Sequence, residues 1–222
     1  MAVVYANGDG YVTHYGTTWA DARGNTPGNS ATSASSAYAV RIDLTTGRGG
    51  TTYGIARSFM SFDVGGITHI PSKVILYIQG QTLTSSDLII VGADYSVPVA
   101  AADFENITGA STPLAATDGS AAGTFVGTDV VAYTDEISSW GTGVNAIVLN
   151  EAARSAIAFT SNFQICIMNY DYDYKDIVPP TSLPPFSSVR SGIKFSSSSG
   201  TTRDPYLDIF DRGQAIFMGA NF

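Results

Sequence analysis

The chain has 222 residues, 44% of them hydrophobic and only 14% charged, so it is long enough for a sizeable core and too apolar to be disordered. A net charge of −8 sets its surface against nucleic acid, whose affinity rests on Lys and Arg. With one cysteine no intrachain disulfide forms, and no run approaches the length of a membrane span.

Polarity comes from Ser, Thr, Asn and 23 Gly, the composition of many short strands joined by tight turns. Residues 9–13 read as the first strand, and 16–36 as a long polar surface loop, of a length that is often functional. Over 38–44, Tyr38, Val40, Ile42 and Leu44 share one strand face, with Ala39, Arg41 and Asp43 on the other. The Gly-rich turn at 47–50 lacks the strand–turn–helix setting of a phosphate loop. Within 55–64, Met60, Phe62 and Val64 face one way and Arg57, Phe59 and Ser61 the other; Gly65 and Gly66 end the strand. Residues 73–79 are nearly all apolar and read as a central strand, with another at 88–93.

Residues 96–128 hold turns and small residues without a period, 133–140 read as a helical turn, and 146–149 as a short buried strand. Asn150 then caps a short helix over 151–158, with Glu151 in its first turn. The longest strand is read over 163–174, where Cys166 fits as a small core residue. Two Pro-Pro pairs, at 179–180 and 184–185, bracket a rigid extended loop before late strands at 192–195 and 206–210. No repeat and no linker divides the chain. The expectation is an all-β protein, a jelly roll or two-sheet antiparallel β-sandwich with long loop insertions and one or two short helices. It has one domain over 1–210 and a tail over 211–222.

Several segments, in this order, resemble the DNRLRE-domain family. They are Asp9 to Val12 with Tyr15 and Gly16, Arg57 to Asp63, Ile70 to Tyr77, Trp140 with Asn145, and Asp204 to Ile209. The middle pair follows the family's Arg-x-x-x-x-Phe-Asp and the strand after it, and Pro205, Tyr206 and Leu207 follow its closing Pro-Tyr-Leu. The resemblance spans about residues 9–210. Lys73 departs from it, as do the insertions at 16–36 and 94–128 and the extra tail. It implies a jelly-roll module of the kind found in secreted and surface proteins, related to modules that bind polysaccharides. On the residues alone, Arg57 and Asp63 share a strand face and read either as a strand-orienting ion pair or as two separate surface charges.

Candidate chemistry is sparse. His14 and His69 sit in no recognisable nucleophile motif. Asp103 with Glu105, and Asp135 with Glu136, are the nearest carboxylate pairs for glycoside chemistry. The second pair is explained as acids in a helical first turn. The protein is therefore expected not to be an enzyme. In a strand, Tyr170, Tyr172 and Tyr174 would line one face as a stacking platform for sugar rings. Asp171 and Asp173 on the other face, with Asp176 beyond, would offer oxygen ligands to Ca²⁺. The plainer alternatives are that Tyr suits strands and that edge carboxylates discourage aggregation.

The tail carries Ile216, Phe217, Met218 and Phe222, apolar residues that need cover from a partner or from the same domain. An arm of this kind can extend a neighbour's sheet. Together with the absent disulfides, the acidic polar surface and the lack of a visible leader, it points to a structural component of a virus particle, in the first place of a phage. A head decoration, a fibre or a tail-associated protein would fit, assembled in the host cytoplasm with other virion proteins or copies of itself. The alternative is an extracellular carbohydrate-binding module on surface polysaccharide. Neither nucleic acid nor membrane is an expected partner.

Overall fold

The computed structural model describes residues 1–24, 27–33, 37–84, 86–110, 130–180, 188–196 and 204–211. Among these residues ten strands dominate: β1 (Ala2–Gly16), β2 (Ser30–Thr32), β3 (Ala37–Gly47), β4 (Gly50–Asp63), β5 (Lys73–Thr84), β6 (Leu88–Gly92), β7 (Gly143–Val148), β8 (Asn162–Asn169), β9 (Ser188–Ser196) and β10 (Tyr206–Phe210). Two short α-helices, α1 (Trp19–Arg23) and α2 (Glu151–Ile157), and a 3-10 turn (Ala101–Glu105) decorate them.

The strand pairings are antiparallel, and the sheet curls back on itself. Hydrogen bonding runs from β1 to β10, β5, β9, β3 and β4, and β4 pairs with β1 again. From this ring β8 and then β6 extend off β4, β7 off β5, and β2 off β1. This is the expected all-β, sandwich-like class. Curling needs a bend, and β1 supplies one where its register with β4 shifts between Ala6 and Gly8. Glycine makes room there: a Cβ at Gly8 would fall 2.5 Å from the exposed Val97 side chain, which would have to shift.

The period-2 alternation of β4, β8 and β6 carries apolar residues on both faces, so these strands are buried on both sides. Met60, Phe62, Phe163, Ile165, Leu88 and Ile90 enter one core with Leu76 and Leu207. Phe59, Cys166, Met168, Ile89 and Val91 enter a second, covered by Trp19, Tyr95 and Phe104. Each such large side chain contributes roughly 1.5–3 kcal/mol on burial.

Several local expectations change. The first strand begins at Ala2, and the 16–36 segment contains α1 and β2. Thr18 accepts the Asp21 N–H at 3.1 Å and so starts α1. Residues 133–140 form no helix. They run beside β6, with Tyr133 N–H donating to Ile90 O at 2.8 Å and Ile137 N–H to Leu88 O at 2.8 Å. The carboxylates Asp135 and Glu136 are therefore not in a helical first turn. The Asn150 cap is present: its Oδ1 accepts the Ala153 N–H at 3.1 Å. Most of the expected proline-bracketed loop and residues 111–128 lie outside the described residues. Among the described residues no helix is long and apolar enough to cross a membrane.

Candidate functional site

The 170–174 segment is not a strand. Beyond Asn169 the chain closes a π-helical turn, in which Lys175 N–H donates to Tyr170 O at 3.1 Å and Ile177 N–H to Tyr172 O at 3.0 Å. Asn169 Oδ1 accepts the Tyr172 N–H at 2.7 Å and fixes its start. The turn stacks Tyr170 on Tyr174, with ring centroids 5.6 Å apart and planes at 16°. Lys175 Nζ lies 4.0 Å over the Tyr170 ring. Tyr172 packs, like the other two, against the second core. The three rings do not line one strand face.

What pulls the chain out of the sheet is Asp173. Its carboxylate is fully buried and accepts both Arg57 Nε and Nη2 at 2.8 Å, a two-pronged charge-assisted pair. Arg57 also donates to Phe104 O and Arg23 O, each at 2.8 Å, and its guanidinium sits 4.1 Å over the Phe104 ring. Arg23, equally buried, donates to Asp173 O at 2.8 Å and lies 3.4 Å from Asp176 Oδ1. Trp19 Nε1 donates to the same Asp176 oxygen at 3.1 Å. Two cations and two anions thus tie α1, β4, the 3-10 turn and the 170–176 turn together.

Burial pulls the Arg23 pKa down to about 10 against the opposing pull of Asp173 and Asp176. Burial also lowers Arg57, but the Asp173 charge and hydrogen bonds more than reverse this. Burial raises the Asp176 carboxyl, with Arg23 and Trp19 opposing.

The three aspartates considered for Ca²⁺ part company here. Asp173 and Asp176 face arginines, while Asp171 is half-exposed and pairs with Lys175 at 3.7 Å. Among the described residues no group of three or more His, Cys, Asp or Glu is gathered as a metal site would require. Asp63 is not the partner of Arg57; it accepts the Gly65 N–H at 3.2 Å where β4 ends.

Other candidates have local structural duties. His14 is buried against Phe104, with centroids 5.5 Å apart, and burial lowers its pKa. His69 is exposed and pairs with Asp211 at 2.8 Å. Asp103 accepts the Ala100 N–H at 2.8 Å and Asn106 Nδ2 at 2.7 Å within the 3-10 turn. Cys166 is buried, and burial pushes its thiol up. Ile216, Phe217, Met218 and Phe222 lie outside the described residues.

A different surface stands out on the outer face of β1, β10, β5 and β7. Register places Tyr5, Tyr206, Tyr77 and Ala146 in one cross-strand row, and Val3, Asp208, Ile75 and Val148 in the next. The Tyr206 and Tyr77 rings stack at 4.7 Å and 13°, and Tyr5 tilts against Tyr206 at 5.6 Å and 45°. Tyr5 is 55% exposed and Val3 48% on β1, and Val144 64% and Val148 58% on β7; between them lie the partly exposed Tyr206 and Tyr77 in one row and the buried Asp208 and Ile75 in the next. Sequence reasoning missed this row because Tyr5, Tyr77 and Tyr206 meet only through register. The stacked Tyr206 and Tyr77 rings cover part of each other's faces and remain partly exposed.

No family model matches the chain, and no curated protein matches it.

Proposed function

We propose that the protein is a non-enzymatic structural component that assembles through the outer face of β1, β10, β5 and β7, as a part of a virus particle would. The observation that carries this is the Tyr5–Tyr206–Tyr77 row with exposed Val3, Val144 and Val148 beside it. Aromatic residues are enriched at protein interfaces, and Tyr supplies contact area at low entropic cost. The buried charges support a non-enzymatic role, since Arg57, Arg23 and Asp173 are committed to one another inside the fold.

The particle setting rests on sequence: an acidic polar surface, no disulfide, and an apolar stretch at 215–218 followed by Phe222. These residues follow β10, a central strand of the same face. A neighbouring copy offers them a surface to cover.

Removing residues 212–222 tests this reading. The shortened chain is expected to keep its circular dichroism and its cooperative melt but to stay monomeric in light scattering where the full chain associates. A folded, shortened chain that associates as the full chain does overturns it.

A further inference from the structure

β7 pairs with β5 along one edge, and its outer edge meets no other strand among the described residues. The other two end strands differ from it. β2 has three residues, and β6 is covered by 131–137, where Gly92 N–H donates to Val131 O at 2.9 Å. An uncovered edge is a template for another strand, and proteins ordinarily block it with Lys, Pro or a bulge. Gly143–Val148 carries no charge and no proline. Its register with β5 runs without a shift, from Gly143 opposite Gly80 to Val148 opposite Ile75.

The phase of the hydrogen bonds decides which backbone groups lie on that edge. Leu149 N–H donates to Val74 O at 3.0 Å, and these two continue the β5–β7 register as direct partners. In an antiparallel ladder such bonded pairs alternate with unbonded ones. Gly143, Asn145 and Ile147 therefore turn their N–H and C=O toward β5, and Val144, Ala146 and Val148 turn theirs outward. The side chains of the same three residues are exposed. Beside this edge lies an open groove of about 440 Å³, walled on its far side by 136–139, which leaves room for added chain. Its one charge, Glu136, stands on that far wall.

The edge is complementary to itself. Turned about a two-fold axis at Ala146, the β7 of a second copy runs antiparallel to the first. Ala146 then faces its own counterpart, and Val144 faces Val148 of the second copy, twice over. All these pairings join residues whose N–H and C=O point outward. Each copy contributes three donors and three acceptors, and apolar side chains stand opposite one another. A net charge of −8 sets copies of the chain against each other, and this uncharged strand lets them meet. The row Tyr5, Tyr206, Tyr77 and Ala146 would run on through Ala146 of the second copy into its three tyrosines. We propose that two copies pair through their β7 edges as an antiparallel, two-fold symmetric strand pair. This rests on the assembly reading above and gives that assembly its first contact.

Sedimentation equilibrium and cysteine cross-linking of the full chain test the pairing. Cys166 is buried, so an introduced cysteine reports alone. Opposed residues of a bonded pair have Cα atoms roughly 5.5 Å apart, within disulfide reach. Ala146→Cys is expected to form a disulfide-linked dimer under mild oxidation. Val144→Cys alone should not, because its counterpart lies four residues along, roughly 14 Å away. Val144→Cys mixed with Val148→Cys should link. Ala146→Pro removes an outward N–H that β5 does not use, so the chain should fold, with the dimer dissociation constant raised roughly tenfold or more. A natural chain that stays monomeric at about 100 µM overturns the assembly reading and this inference with it. A natural chain that associates while Ala146→Cys links no faster than Val144→Cys, or while folded Ala146→Pro associates equally well, overturns the β7 pairing alone.

Discussion

Arg57 and Asp173 show what one residue pair does in this chain. Both are fully buried, so removing one partner strands a charge in the interior. Asp173→Ala is expected to lower the unfolding free energy by about 3–5 kcal/mol, read from urea melts. Replacing both charges by apolar residues of similar volume should cost less than the single change. His14 gives a pH signature. Its folded pKa lies below the ordinary 6.5, so the unfolded state binds the proton more readily. Its contribution to stability is then complete above that value and falls as the pH drops through it. His14→Phe should flatten this part of the melting-temperature profile; an unchanged slope would show that another group is responsible.

At the scale of elements, the strands were legible because their alternation is strong. The runs at 55–64, 73–79 and 88–93 correspond to β4, β5 and β6. The α2 cap was legible because Asn150 precedes a helix-forming run with Glu151 in its first turn. Asn150→Ala should cost about 1 kcal/mol, and somewhat more if the bond from its Nδ2 to Ala132 O is also lost, measured by thermal melts. Besides α1 and β2, which lie in the segment read as a loop, two stretches were read as the wrong element, for one reason. The alternating Tyr and Asp of 170–174 mimic a strand, but the pull of Arg57 on Asp173 wins and a π-turn results. Residues 133–140 look helical, but β6 offers them backbone partners. Both outcomes depend on a distant segment, which local pattern cannot contain.

For the whole molecule, the all-β class followed from composition and turn signals, whereas the curl of the sheet and the tyrosine row follow from register. Tyr5, Tyr77 and Tyr206 are each unremarkable strand residues until β1, β10 and β5 lie side by side. Once they do, they form the face through which we propose that one copy joins another. Sedimentation equilibrium of the full chain beside its Tyr5→Ser, Val148→Ser double variant tests this most directly, since both positions are exposed and their replacement leaves the cores intact. The natural chain is expected to associate in a concentration-dependent way and the variant to be a folded monomer. A natural chain that stays monomeric at about 100 µM, or a variant that associates equally well, would contradict it.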